Sequence, residues 1–358
     1  MNFASDNGAG VAPEILEAIV QSSRVEAPAY GADDYTRRAE ARLGEVFERR
    51  VSAYLVATDT AANALALGAL ARPWEAVFCH EEAHIQEDEC GAPEFFTAGA
   101  KLVGIPGAAG KIGPEALRET LARRPRGQVK TTQPGALSLS QASEAGTIYR
   151  PSEVAALASI AHEAGLAVHM DGARLANALA AAGVSPAEMT WRAGVDALSL
   201  GATKNGALAC EAVIFFDSDR AAGFPYQRKR AGQTLSKGRF LGAQMEAYLK
   251  GGLWLDLARR ANEAARRLSQ GLGRAPGVRL AWPTEANEVF VIAPDGLAST
   301  WRAAGAKFHP WSSRSIALDQ APRAGETMVR LVTSFETRAR DVEALIAMAG
   351  APHRRRNY

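Results

Sequence analysis

Between residues 51 and 216, short apolar runs and helical stretches alternate with few residues between them. VSAYLVA (51–57), AVFC (76–79), KLVGIP (101–106), ALSLSQ (136–141), LAVHMD (166–171), VDALSLG (195–201) and EAVIFF (211–216) read as strands. They are apolar at successive positions, as strands covered on both faces must be. TAANALALGALA (60–71), PEALRETLARR (114–124), PSEVAALASIAHEAG (151–165) and RLANALAAAG (174–183) read as helices. Thr60 stands near the N-cap of the first, and the third opens on Pro and closes on Gly. Such alternation implies an α/β fold, a mostly parallel sheet wrapped by helices.

The pattern changes along the chain. Residues 1–12 read as an irregular arm that ends at Pro13, a helix start. Amphipathic helices follow over about 13–23 and 34–48. Long helices fill about 230–272, interrupted at Gly251-Gly252. After about 276 come shorter strands, VRLAW, NEVFVI and MVRLVT, with helices near 297–304 and 336–349. The expected division is an arm (1–12), a large domain (13–245), a smaller α+β C-terminal domain (246–350) and a solvated tail (351–358). A length of 358 residues accommodates two domains.

Composition removes several function classes. The net charge of +2 gives no electrostatic argument for a nucleic-acid or acidic-membrane partner. The basic runs RKR (228–230) and RRR (354–356) lack interleaved aromatics and read as solvated. No apolar run approaches the roughly 18 residues a membrane span needs. The N-terminus has no basic and apolar signal pattern. Cys79, Cys90 and Cys210 make no disulfide framework. These features together lead to the expectation of a soluble, cytoplasmic protein. The chain has only eight lysines, so chemistry that needs an amine has few candidates.

One of them stands out. Asp171 lies at the carboxyl end of one expected strand, and Lys204 lies just past the carboxyl end of the next. In open α/β sheets, ligands bind outside those ends. Lys204, flanked by Thr203, Asn205 and Gly206, sits on a tight loop rather than a helix face. Taken singly, the two residues also fit a surface lysine and a capping aspartate. Together they match the needs of pyridoxal phosphate: a lysine for a Schiff base and an acid to hold the pyridine nitrogen protonated. DTAAN (59–63) opens a helix after a strand, a setting for a phosphate, and His84 follows the next strand, where it can stack on a ring.

At this point the chain resembles the fold-type I pyridoxal-phosphate enzymes of the threonine aldolase and β-eliminating lyase group. The matching segments include FASDN (3–7), TAANALAL (60–67), AHIQEDECGAPEFF (83–96), QASEAGTIYRP (141–151), HMDGAR (169–174), LGATKNG (200–206), SKGRFLGA (236–243), EANEVF (285–290) and VRLVTSFET (329–337). They run in family order over nearly the whole chain. The resemblance implies a fold-type I architecture and retro-aldol cleavage of a β-hydroxy-α-amino acid to glycine and an aldehyde. Another β-eliminating or transaldolase reaction on the same fold is the alternative.

It also implies roles. Lys204 binds the cofactor covalently, Asp171 pairs with its ring nitrogen, and His84 stacks on the ring near the substrate hydroxyl. Thr60 and its helix hold the phosphate, with Arg239 supplied across a subunit interface. Ser5, Arg174 and Arg330 hold the substrate carboxylate. His84 is the first choice of base for the hydroxyl proton and Glu144 the second. A homo-oligomer, a dimer of dimers with shared active sites, follows from the same resemblance. Two positions depart from the family pattern. Asp59 stands where relatives usually have Gly before the phosphate-binding threonine. Ser143-Glu144 stands where some relatives carry a second histidine.

A competing motif is HEEAH (80–84), which matches the H-E-x-x-H pattern of zinc hydrolases. On one helix, His80 and His84 would share a face, with Glu81 as base. The segment instead starts at a strand end and has no obvious third ligand at short spacing.

Overall fold

The computed structural model describes residues 1–350; the expected tail, 351–358, lies outside the described residues. The arm contains a 3-10 turn at Asp6–Gly8 and leads into α1 (Pro13–Ser23) and α2 (Asp34–Val46). Next come β1 (Ser52–Val56), α3 (Asp59–Leu70), β2 (Glu75–His80), α4 (His84–Glu87), α5 (Ala92–Phe96) and β3 (Lys101–Ile105). α6 (Pro114–Ala122), β4 (Gln133–Ser140), α7 (Pro151–Glu163), β5 (Ala167–Gly172) and α8 (Leu175–Ala182) continue the alternation. α9 (Pro186–Met189), β6 (Ala197–Gly201), β7 (Glu211–Phe215) and α10 (Phe224–Arg230) complete it. α11 (Arg239–Leu249) and α12 (Leu253–Leu272) are the long helices. The last stretch holds β8 (Arg279–Leu280), β9 (Glu288–Pro294), α13 (Asp295–Ala303), β10 (His309–Pro310), β11 (Glu326–Val332) and α14 (Ala339–Gly350).

Seven strands form one sheet in the order β1-β7-β6-β5-β4-β2-β3. β3, β2, β4, β5 and β6 pair in parallel, whereas β7 is antiparallel to both β6 and β1. The expected mostly parallel sheet is therefore present, with one reversed strand. Its cause is local. The connection 202–210 between β6 and β7 is shorter than the dozen or more residues a parallel crossover needs, so the chain turns back. That forced turn is the segment that carries Lys204.

Both faces of the sheet are covered. On β7, Val213 and Phe215 pack with α3 residues such as Ala62, Leu65 and Ala66. Ala212 and Ile214 enter the main cluster on the other face, with Leu43 of α2, Leu175 of α8 and Leu241 of α11. Side chains alternate along a strand, so a strand with both residue sets apolar is one buried on both sides.

A second sheet, β10-β11-β9-β8, is antiparallel. Val289 and Val291 of β9 and Val329 and Leu331 of β11 pack with Leu268 and Leu272 of α12, Trp301 of α13 and Leu345 of α14. α12 spans two cores: Trp254, Leu257 and Ala258 join the main cluster, and Ala265, Leu268 and Leu272 join the second.

Several expectations need correction. The arm is not wholly irregular. Phe3 is fully buried in the second core, and its backbone bonds Lys307 and Val332 at 2.8 Å each. The N-cap of α3 is Thr58, whose Oγ1 accepts from Ala61 N at 3.2 Å, while Thr60 lies inside the first turn. β10 had no strand signal, because only two residues pair. Among the described residues, no helix is long and apolar enough to cross a membrane.

Candidate active site

β5 and β6 place the two central groups. Asp171 is the penultimate residue of β5 and is 4% exposed. Its Oδ2 accepts from Asn63 Nδ2 at 2.9 Å and its Oδ1 from Ala173 N at 3.0 Å. Lys204 sits in the 3-10 turn Thr203–Asn205 just past β6. Two glycines permit that turn. A Cβ on Gly201 would lie 2.5 Å from Ala173 O, so β6 could not approach the end of β5. Gly206 has φ +108°, the left-handed region open to glycine, and packs on Ala12 and Leu257. Asn205 anchors the turn from below, donating to Tyr248 Oη at 2.9 Å and to Trp254 O at 2.8 Å.

Lys204 Nζ donates to Asp59 Oδ2 at 2.7 Å. Burial works against the ammonium, but the Asp59 carboxylate outweighs it and holds the amine above its ordinary value. Asp59 is the first residue of α3, where the helix N-terminus also favours negative charge.

His84 opens α4 and its Nδ1 lies 2.8 Å from Glu89 Oε1. Burial opposes its charge, yet the bond to Glu89 and the nearby Asp171 carboxylate outweigh burial and raise it to about 9. At neutral pH the ring is an imidazolium that donates to Glu89. Glu89 is itself buried, and its Oε1 also accepts from Asn63 Nδ2 at 2.9 Å. Asn63 thus ties Glu89 and Asp171 together.

Glu144 follows β4. Its Oε1 accepts from His84 N at 2.8 Å and from Ser140 Oγ at 2.7 Å, whereas Oε2 is buried without a partner. Burial pushes this carboxyl up to about 7, and the Asp171 charge acts in the same direction.

Arg174, just after β5, makes a two-pronged contact with Asp6: Nε to Oδ2 at 2.8 Å and Nη2 to Oδ1 at 3.0 Å. Asn287 Nδ2 also donates to Asp6 Oδ2, at 3.0 Å. Glu288 lies 3.5 Å from Arg174 Nη1 and 3.9 Å from Arg330 Nη1. Arg330 stacks on Trp311 at 4.4 Å from the ring centre, and its Nε is buried without a partner. Two guanidinium groups are thereby fixed at one end of the site, each with N–H groups to spare for a carboxylate.

These groups face a common cavity of about 420 Å³, lined by Ser5, His84, Glu144, Asp171, Lys204 and both arginines. Its size is that of a small-molecule site. The structure does not bring every expected residue there. Asp59 reaches the cavity through Lys204. Thr60 is half-buried in the first turn of α3. Arg239 opens α11, donates to Ser22 O at 3.0 Å and is not among the lining residues.

The HEEAH reading is overturned. His80 ends β2 and His84 begins α4, so they share no helix face. His80 Nε2 is bonded to Gly107 O at 3.0 Å, and its Nδ1 accepts from Glu82 N at 3.2 Å. The groups that do cluster are His84, Glu89 and Asp171, all inside the site just described.

Asp6, Asn63, Glu89 and Glu288 were not singled out from sequence. All four lie inside family-like segments, FASDN, TAANALAL, AHIQEDECGAPEFF and EANEVF, but their partners are set only by the fold.

A lysine beyond β6, an acid at the end of β5 and a helix start beside them, all on a mostly parallel α/β sheet, define a fold-type I pyridoxal-phosphate enzyme. The beta-eliminating lyase family model matches residues 2–295, and the chain belongs to that family. A low specificity L-threonine aldolase of Pseudomonas aeruginosa is 40% identical over 347 residues, 97% of this chain and 95% of that protein. Another, from a Pseudomonas species, is 41% identical over 307 residues, 86% of this chain and 88% of the relative. Among solved structures, a Leishmania major threonine aldolase superposes with a TM-score of 0.89 at 27% identity, covering 97% of this chain and 98% of that one.

Pyridoxal phosphate is the cofactor. The donor set fits it: an amine on a loop, a buried carboxylate held by an amide and a backbone N–H, and an imidazolium in the same cavity. The first turn of α3 supplies backbone N–H groups for a phosphate.

Proposed function

We propose that this chain is a carbon–carbon lyase that cleaves L-threonine, L-allo-threonine and related β-hydroxy-α-amino acids such as phenylserine, reversibly, to glycine and an aldehyde. What carries the reading is the one cavity in which an amine, a buried carboxylate and two arginines meet beside Glu144 and His84. The names of the relatives at 40% and 41% identity support it.

Pyridoxal phosphate, when bound, supplies an electron sink for the pair left on Cα when the Cα–Cβ bond breaks. Lys204 would hold it covalently, Asp171 would face its ring nitrogen, and the start of α3 with Thr60 would meet its phosphate. Arg174, Arg330 and Ser5 bind the substrate carboxylate, which fixes rotation about Cα. Asp6 and Glu288 position those arginines.

Glu144 takes the β-hydroxyl proton. Its Oε2 has no hydrogen-bond partner, and burial raises the carboxyl to about 7, which suits a group that exchanges a proton near neutral pH. His84, raised to about 9, enters as an imidazolium. It donates a hydrogen bond to the hydroxyl oxygen and is no base. This reverses the order of preference read from the sequence.

The reading includes assembly. Arg239 serves a neighbouring subunit's phosphate site in a dimer of dimers. Exposed aromatics on two helices beside α3, Phe95 at 77% and Tyr226 at 76%, support a covered surface there.

The test is aldehyde release from L-threonine by protein loaded with cofactor. Lys204→Ala should lower the rate at least about a hundredfold. Retention of the wild-type rate would overturn the reading.

A further inference from the structure

Among the described residues, Asp59 is the one charged group bonded to the Lys204 amine. Its Oδ2 accepts from Nζ at 2.7 Å, and its Oδ1 is buried without any partner. The two side chains are 14% and 16% exposed, so solvent screens the pair only weakly. Asp59 is held in place as the first residue of α3, behind the Thr58 cap. The other ionisable groups that feel the Lys204 charge are Asp171, Arg174, Asp6, His84, Glu211 and Glu288. Asp171 is engaged by Asn63 and Ala173 N, Asp6 by Arg174 and Asn287, His84 by Glu89, and Glu211 by Ala202 N. Arg174 repels the ammonium.

We propose that Asp59 is a counterion lock on Lys204, which keeps the amine protonated and so restrains its capture of aldehydes, the cofactor included. The inference rests on the reading that Lys204 is the cofactor lysine. An ammonium is no nucleophile. Capture requires Lys204 to release one proton to solvent. The neutral amine then adds to the aldehyde carbon, a C=N bond forms, and the carbonyl oxygen leaves as water. Holding the ammonium lowers the fraction of neutral amine at any given pH. In a protein whose proposed product is itself an aldehyde, the lock shields Lys204 from that product until the cofactor is seated. The carboxylate is also a poor neighbour for a phosphate dianion at the start of α3, so cofactor affinity alone does not isolate the effect.

The experiment follows capture by absorbance, from pH 6 to 11.5, in the wild type, Asp59→Asn and Asp59→Gly. Two probes are used, pyridoxal phosphate and pyridoxal, which lacks the phosphate. Loss of the counterion should speed capture of both probes about tenfold at pH 7. It should also move the midpoint of the pH–rate profile down by about one unit. Faster capture of pyridoxal phosphate alone would mean relief of phosphate repulsion and would overturn the lock. So would an unchanged pH midpoint. The Asn and Gly variants differ in helix preference but share the missing charge, so agreement between them excludes a folding effect. A Lys204→Ala control separates the two levels: if it takes up pyridoxal phosphate with the wild-type spectrum, the assignment of Lys204 itself fails.

Discussion

Glu144 and His84 sit one hydrogen bond apart, and their environments push them in useful directions. Burial raises the Glu144 carboxyl to about 7; the Glu89 bond and the surrounding carboxylates raise His84 to about 9. A base must be deprotonated to act, so the turnover rate should rise with pH through about 7 as Glu144 ionises. It should fall as pH passes about 9 and His84 loses the proton it donates. Glu144→Gln should lower kcat about a hundredfold and remove the acid limb, with little change in KM. A retained acid limb in that variant would give the base role to another group. Lys204 and Asp171 were legible in sequence, because short local segments carry them to strand ends, and Arg174 only through the family resemblance. Asp6 and Glu288 were not. The bond from Arg174 to Asp6 spans 168 residues of sequence, and no local pattern announces such a pair.

Among the elements, the arm departs most from its sequence reading. It was read as irregular, yet Phe3 anchors it in the second core and its backbone extends the pairing toward Lys307 and Val332. That anchor delivers Ser5 to the cavity wall and Asp6 to Arg174 behind it. Phe3→Ala should destabilise the protein by about 3–5 kcal/mol, the usual cost of deleting a buried phenyl ring. Where the variant remains folded, KM for the amino acid should rise while cofactor uptake stays near normal, since Lys204 and Asp171 hang on β6 and β5. Thermal unfolding and steady-state kinetics with L-threonine check both parts. The β6–β7 turn shows the opposite case. Its two apolar strands and its tight glycine-flanked loop were all readable, and the reversal of β7 follows from the nine-residue spacing alone. β10 escaped notice because two paired residues leave no periodicity.

In the molecule as a whole, the two sheets meet at the cavity. The larger one presents Lys204, Asp171 and Arg174 at its strand ends, and the smaller one presents Glu288 and Arg330 on adjacent strands. α12 ties them, since its first turns pack in one core and its last turns in the other. The alternation in the first two thirds of the chain was enough to read the large sheet. The way the small sheet closes over the cavity depends on contacts between distant segments and was not readable. The two arginines thus come from different parts of the fold, Arg174 from the large sheet and Arg330 from the small one, which under the proposed function would present an α-amino acid to Lys204.

The most direct measurement is the product balance from L-threonine with the cofactor-loaded protein. Cleavage at Cα–Cβ should give glycine and acetaldehyde in equal amounts, with no ammonia. Formation of 2-oxobutanoate and ammonia instead would mean loss of the hydroxyl rather than carbon–carbon cleavage, and the proposed lyase reaction would be wrong.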